Sequence, residues 1–426
     1  MSVSLPHKNP EFYKKIINLF SYPVNDMNTL NLIFFANKCP FFSLIQTYYP
    51  LEAFEFLRYY KYLQYLVLNI NDILPDSIKL LSKTTLFDKI QLTRKQTALL
   101  FLLSFFGLMP NNFSRTYNNF NVSQVLFAKF GPQFEFGRCF LNYLTVIGKW
   151  ISDNNPILEQ KIIYIRQKID RNFHNLEKRN FINLCEVNFI REGSLLDGDA
   201  SYCLDFANKL IGGSTLNGGC VQEEILFAIE PEAIVSMLFM EEMNENDAIG
   251  IFNTIQYSKY KGYRQTFSFD GNMVSYSGSI KKHRIIAIDA GQNDKQLLNI
   301  NKDFNKYKEI ILRDLYKAYA GFNLINSENN YQKSIATGNW GCGVYQGIHQ
   351  LKFLEQWIAA SFAGVQRLDY YTFNENKMED AIQYYQNIKN NNDAGSLLKY
   401  LIGYILDMNN LIQVFNNLAS VPYSEQ

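Results

Sequence analysis

Histidine is scarce in this sequence: four in 426 residues, at positions 7, 174, 283 and 349, and none at metal-ligand spacing from another. The six cysteines (Cys39, Cys139, Cys185, Cys203, Cys220 and Cys342) are scattered and include no Cys-x-x-Cys pair. Together these absences argue against a zinc centre, and a disulfide framework does not suit a chain of this length. The opening MSVSLPHKNPEFYKK has no apolar core, so no secretory signal is read there. Long hydrophobic runs are also missing. The most apolar stretch, Thr97 to Met109, is shorter than the ~18 residues a membrane span needs. Arg94 and Lys95 precede it and Pro110 follows, which suits a buried helix. A dominant charge of either sign is absent too, since 41 basic and 40 acidic side chains leave a net +1. That excludes capture of a polyanion by a global field; such a ligand would have to be held locally by backbone amides and helix N-termini. The expectation is a soluble intracellular protein, in nucleus or cytoplasm, with no metal, no cofactor and no membrane or direct nucleic-acid partner.

Hydrophobic residues make up 47% of the chain and charged ones 19%, a globular balance, and the length allows two or three domains. From about Glu11 to Trp150 the patterning is helical. The stretches Pro50 to Leu57 and Thr93 to Leu108 repeat apolar residues at three- and four-residue intervals, with Thr93 as N-cap and Gly107 to Pro110 as stop. Asn118 to Asn121 and Asn390 to Asn392 read as solvated loops. The turn cluster Ser152 to Pro156 marks a boundary between an all-helical accessory domain (1–155) and a second domain (156–426). Beyond it, strand candidates at Leu184 to Ile190, Tyr202 to Phe206, Ile249 to Ile255, Ile285 to Ile288 and Asp369 to Phe373 alternate with helical segments. Those helices are Gln222 to Met243, Phe304 to Tyr319 and Gln350 to Ala363. Such alternation predicts an α/β domain with ligand loops at strand ends.

Three stretches carry chemistry. Four glycines fall within residues 212–219, between a strand and a helix candidate, where positive φ and close backbone approach would let N–H groups point at a phosphate. Directly after them comes Gln222-Glu223-Glu224. Adjacent carboxylates at an anion loop repel each other and the ligand, and raising the pKa of one glutamate is a good reason for such an arrangement. An acidic first turn favoured by the helix dipole explains either glutamate alone but not the loop before them. The second stretch, Ala336 to Tyr345, interleaves three glycines with Asn339, Trp340 and Tyr345; viewed alone, it is also readable as a structural turn with a buried Trp. The third, Gln256 to Tyr263, clusters tyrosines beside a glycine and is suited either to stacking on a base or to surface packing.

Together these stretches resemble the catalytic domain of poly(ADP-ribose) glycohydrolases, a macrodomain-like fold. The family's Gly-Gly-Gly loop and Gln-Glu-Glu correspond to Gly212-Gly213-Ser214 and Gln222-Glu223-Glu224, and its Thr-Gly-Asn-Trp-Gly-Cys-Gly loop stands intact at 337–343. Weaker matches at Ile286 to Ala290, Lys317 to Phe322 and Leu92 to Pro110 extend the resemblance over roughly residues 85–375. It implies an α/β, macrodomain-like three-layer mixed-sheet domain after the helical one. It also implies hydrolysis of the ribose–ribose O-glycosidic bonds of poly(ADP-ribose), with poly(ADP-ribose) and ADP-ribosylated proteins as partners and ADP-ribose as product.

The roles implied by the resemblance fall on named positions. Glu224 matches the acid/base and Glu223 the group that positions the ribose hydroxyls, while Asp205 and Asn208 order the catalytic loop and approach the ribose. Val221 and Gln222 lie against the adenosine, and Tyr263 stacks on the adenine. Gly212, Gly213 and the loop of Gly338, Asn339, Trp340, Gly341, Cys342, Gly343 and Tyr345 wrap the diphosphate. Asp197 stands where the family has an acidic residue facing the adenine. Two departures from the pattern are Ser214 for the third glycine, a Cβ where positive φ is expected, and Ile348 for the acid of a Gly-Asp pair. A non-catalytic ADP-ribose reader and a mono(ADP-ribosyl) protein hydrolase are the alternatives; a reader has no use for two mutually repelling glutamates.

Overall fold

A computed structural model describes residues 2–24, 26, 28–30, 45, 47–109, 116–169, 176, 181–275, 280–292, 304–328, 331–390 and 393–404. Cys39, Pro110, His174, Asn391 and Asn392 lie outside the described residues. In the N-terminal part, β1 (Ser2–Ser4) and α1 (Pro10–Phe20) are followed by α2 (Pro50–Leu68), β2 (Ser77–Lys79), β3 (Phe87–Thr93), α3 (Arg94–Phe105) and α4 (Pro132–Ser152). Helix α3 starts as its sequence predicts. The Thr93 hydroxyl accepts from Gln96 N–H at 3.1 Å, and the Gln96 side chain accepts from Thr93 N–H at 2.9 Å, a reciprocal cap. It ends at Gly107, whose φ of +65° lets the N–H groups of Gly107 and Leu108 return to the carbonyls of Ser104 and Leu103. Apolar on every side, α3 is buried along its length.

The second part contains β4 (Lys161–Lys168), β5 (Glu186–Ile190), β6 (Tyr202–Ala207), α5 (Gln222–Ile229), β7 (Asp247–Thr254), β8 (Ser258–Lys261) and β9 (Ser268–Asn272). After these come β10 (His283–Asp289), α6 (Phe304–Phe322), β11 (Ser334–Gly338), α7 (His349–Ala363), β12 (Arg367–Tyr371), α8 (Glu379–Ile388) and α9 (Ala394–Tyr404). One mixed sheet of eight strands runs β3-β4-β7-β10-β6-β11-β12-β5. From β10 to β5 all neighbours are parallel; β3, β4 and β7 pair antiparallel. Alternation along β10 sends Ile285 and Ala287 to one face and Ile286 and Ile288 to the other. The first face packs against α3, α4 and α5, the second against α6, α7, α8 and α9, giving three layers.

Three expectations are corrected by this fold. The accessory region is helical but not purely so: β1, β2 and β3 lie in it, and β3 pairs with β4 along its whole length, so the sheet crosses the turn at Ser152 to Pro156. The helix expected over Gln222 to Met243 stops at Ile229, because Pro231 has no N–H to continue the ladder; a 3₁₀ turn follows at Ala233–Leu238. Asn118 is buried rather than solvated, with its side chain turned toward the Gly-rich loop.

The helical layer is locked to the sheet through Glu232, which is fully buried. It pairs with Arg94 of α3 at 2.6 Å and accepts from the Tyr257 hydroxyl at 2.6 Å and from Ile255 N–H at 3.1 Å. A carboxylate can be held in such a place because donors surround it.

Candidate active site

The parallel strands deliver their C-terminal ends to one edge of the sheet, where a ligand crevice is expected in α/β folds. Here the crevice has a specific cause. The β6–β11 ladder consists of Tyr202–Ile335 and Cys203–Ala336, and it stops there. The main-chain groups exposed by the parting are taken up by Gln222: Phe206 N–H donates to its Oε1 at 2.8 Å, and its Nε2 donates to Leu204 O at 3.0 Å. Gln222 therefore pins the N-terminus of α5 to β6 while still lining the cleft.

The resulting cleft has two lobes that share Phe206, Gln222, Tyr263, Asn339 and Gly343. The larger, 460 Å³, is mainly apolar and is formed by Leu195, Leu196, Leu204, Ile225, Leu226 and Tyr260, among others. The smaller, 320 Å³, is lined by Asn208, Ser214, Gly219, Val221, Glu223, Glu224 and the second loop from Asn339 to Tyr345. These sizes suit a small-molecule ligand with one apolar and one polar end.

Both glutamates are buried at the N-terminus of α5 and held by main-chain donors. Glu223 accepts from Asn208 N–H at 2.8 Å and from Gly212 N–H at 2.7 Å. Glu224 accepts from Ser214 N–H at 3.1 Å and from Val221 N–H at 2.8 Å. Gly213 has φ of +48° and passes so close that a Cβ there would lie 2.5 Å from a Glu223 oxygen and 2.6 Å from a Glu224 oxygen. The helical layer supports the same loop. Gln133 donates to Thr215 O at 3.0 Å, and Asn118 donates to Ile211 O at 3.0 Å and to Gly213 O at 2.8 Å.

Several expected roles change. Gly212 and Gly213 do not line the cleft, and their N–H groups are committed to Glu223 and to Leu210 O, so this loop presents its amides to the carboxylates. Ser214 lies outside the left-handed region, so its Cβ carries no such strain. Gly338 ends strand β11 rather than opening a loop. The Trp340 indole is fully buried and donates to Ile288 O at 3.0 Å; it supports the second loop from below. Asn339 is tied to Thr372 O at 3.0 Å, and Cys342 lines the apolar lobe. In that second loop, the N–H groups of Gly341, Gly343 and Val344 have no partner among the described residues, and all three residues line the polar lobe. Tyr345 lines it as well, its hydroxyl accepting from Asn208 at 3.4 Å. Tyr263 stands at the tip of the β8–β9 hairpin, half exposed, over both lobes. Asp197 is exposed, bonded to Ser194 N–H at 2.8 Å, and outside the cleft lining.

Asp205 is the most unusual group. It is fully buried on β6, and neither carboxyl oxygen has a hydrogen-bond partner among the described residues. Burial, reinforced by the charge of Glu224, pushes its pKa well above the ordinary aspartate range. Burial also pushes Glu223 well up, followed by the charges of Asp205 and Glu224, against the opposing effect of its two main-chain donors. As pH rises, the folded state thus keeps a proton on Asp205 beyond the point where the unfolded chain, titrating near 3.8, releases it. Its contribution to stability is fully present below that pH and is lost as pH rises toward the folded pKa. Asp205→Asn should therefore raise the melting temperature at pH 8 and leave it nearly unchanged at pH 4. Thermal scans at both values decide; an equal shift at the two pH values would mean Asp205 is not held protonated.

No group of three or more His, Cys, Asp or Glu side chains among the described residues is placed to hold a metal ion. No helix among them is long and apolar enough to cross a membrane. Residues 54–166 match the family model described as the helical domain of poly(ADP-ribose) glycohydrolase, and residues 173–380 match that of its Macro domain fold. The chain belongs to the poly(ADP-ribose) glycohydrolase family. It is 28% identical over 307 residues to a probable poly(ADP-ribose) glycohydrolase 2 of Arabidopsis thaliana, covering 63% of this chain and 58% of that protein. It is 30% identical over 260 residues to poly(ADP-ribose) glycohydrolase 1 of the same plant, covering 45% and 46%. Poly(ADP-ribose) glycohydrolase 1 of Caenorhabditis elegans is 35% identical over 215 residues, covering 46% and 26%. The chain thus spans about half the length, or less, of two of these glycohydrolases and somewhat more of the third.

Proposed function

We propose that the chain hydrolyses the ribose–ribose O-glycosidic bonds of poly(ADP-ribose), carried free or on modified proteins, and releases ADP-ribose. The observation that carries this reading is the pair Glu223–Glu224, buried at the wall of a polar lobe that opens into an apolar one. A binding module gains nothing from placing three interacting carboxyls beside an anionic ligand; a glycosidase needs a proton donor and anionic stabilisation of an oxocarbenium-like centre. The adenosine occupies the apolar lobe with its base against Tyr263. The diphosphate lies on the second loop, where the N–H groups of Gly341, Gly343 and Val344 point to it, and the distal ribose reaches Glu223 and Glu224.

The two glutamates cannot flank the sugar as an ordinary glycosidase pair does, because successive side chains diverge. One carboxyl therefore makes both proton transfers. Glu224 protonates the departing 2′ oxygen, and then takes a proton from the water that attacks C1 of the ribose. The bound diphosphate stabilises the cation between the two steps, and Glu223 holds the ribose hydroxyls. Asp205, beneath both, sets the electrostatics of the pair from inside the sheet.

Incubation with poly(ADP-ribose) and with singly modified protein, followed by assay of free ADP-ribose, tests the reading. Release from the polymer supports it, while binding without release supports a reader and release from the single modification alone supports a mono(ADP-ribosyl) hydrolase. Tyr263→Ala separates base stacking from chemistry. Loss of one base–aromatic stack is worth about 1–3 kcal/mol, so KM should rise roughly 5- to 150-fold with kcat nearly unchanged. A fall in kcat at constant KM would remove Tyr263 from the base site.

A further inference from the structure

Within the Gly-rich loop, two alternate peptide planes have the same arrangement. In the plane joining Ile211 to Gly212, the carbonyl accepts from Asn118 Nδ2 at 3.0 Å and the N–H donates to Glu223 at 2.7 Å. In the plane joining Gly213 to Ser214, the carbonyl accepts from the same Nδ2 at 2.8 Å and the N–H donates to Glu224 at 3.1 Å. A peptide unit is rigid, so fixing the direction of its C=O fixes the direction of its N–H. One amide group, with two hydrogens and two acceptors, thereby orients the donors to both glutamates. Its own orientation is determined as well, because Asn118 Oδ1 accepts from Asn119 N–H at 2.8 Å and leaves Nδ2 for the loop.

We propose that Asn118, contributed by the helical region, is a positioning residue for hydrolysis: its carboxamide sets the two peptide planes that hold Glu223 and Glu224. This rests on the proposed roles of the two glutamates. The need for such a clamp follows from the glycines. Gly212 and Gly213 sit at φ of +84° and +48°, and glycine resists peptide rotation less than any other residue. Without this external donor clamp the planes could turn, removing the N–H groups from two carboxylates that already repel each other. The accessory layer then has a direct part in the chemistry, while contributing no group to the cleft lining.

The test uses Asn118→Ala and the nearly isosteric Asn118→Asp in the full chain. Asp fills the same space but has no hydrogens to give, so it faces two carbonyls with a carboxylate. Both variants should lose about 100-fold in kcat, the scale of a 1 Å misplacement of catalytic groups. Both should retain ADP-ribose binding through the second loop within about tenfold, and the fold by circular dichroism. Hydrogen exchange over peptides spanning 208–221 gives a readout free of activity, and the amides of Gly212 and Ser214 should exchange faster in both variants. Wild-type kcat and unchanged exchange in Asn118→Asp overturn the proposal. If the parent protein releases no ADP-ribose, the functional reading falls while the exchange result still decides whether Asn118 orients the loop.

Discussion

Glu224→Gln should hydrolyse poly(ADP-ribose) roughly 10²- to 10⁴-fold more slowly than the parent, the usual contribution of a positioned proton-transfer group. The amide cannot give up a proton to the departing 2′ oxygen or accept one from water, so both steps are lost together. The structure sets a second, smaller effect. Both oxygens of Glu224 accept main-chain N–H groups, from Ser214 and from Val221. Glutamine has one oxygen, so one of those N–H groups must face an NH2, and a hydrogen bond worth about 0.5–1.5 kcal/mol is exchanged for a repulsion. ADP-ribose affinity should therefore weaken, by less than about tenfold. Release of ADP-ribose from the polymer gives the first quantity and titration calorimetry the second. Residual turnover within a few-fold of the parent would take the acid/base role away from Glu224. A total loss of binding with a collapsed fold would show only that the capping contact is structural, and Glu224→Asp, which keeps the acid on a shorter stem, would then be the informative variant.

In the parallel half, β6 and β10 were legible because both faces are covered and most of their residues are apolar, β5 and β12 from their β-branched and aromatic residues, while β11 reads as part of a loop. Strand β3 was not legible. FDKIQLT has weak alternation and directly precedes α3, and only its pairing with β4 makes it a strand. Glu223 and Glu224 stood out because adjacent carboxylates after a Gly-rich loop require an explanation. What could not be read was the direction of the loop's amides. Spacing places four glycines near a ligand, but whether an N–H meets a phosphate or a carboxylate depends on peptide planes set by Asn118, far away in the chain. Asn118 itself sat in a run of asparagines, a composition that ordinarily signals solvent exposure. Gln222 illustrates the same limit: its place in the motif was visible, but its bonding to the parted edge of β6 depends on where the β6–β11 ladder stops.

Replacing Gly213 by alanine isolates what the close approach of loop and carboxylates contributes. The new Cβ would stand 2.5 Å from Glu223 Oε2 and 2.6 Å from Glu224 Oε1, well inside van der Waals contact. Neither oxygen can retreat freely, since the first accepts from Asn208 N–H and the second from Ser214 N–H. The backbone adds about 1–2 kcal/mol, because residue 213 sits at φ of +48°. Gly218→Ala shares this second cost, at φ of +98°, but a Cβ there meets nothing within 4 Å. The two variants therefore separate strain from steric displacement of the acids. Gly213→Ala should lose about 10²-fold or more in kcat/KM through the displacement of both carboxylates. Gly218→Ala should lose stability comparable to the strain alone and keep most of its activity per folded molecule. Steady-state kinetics beside thermal melts on both proteins measure the difference. Equal activity losses in the two would place the effect in loop strain and remove the reason for glycine at 213 argued from the glutamates.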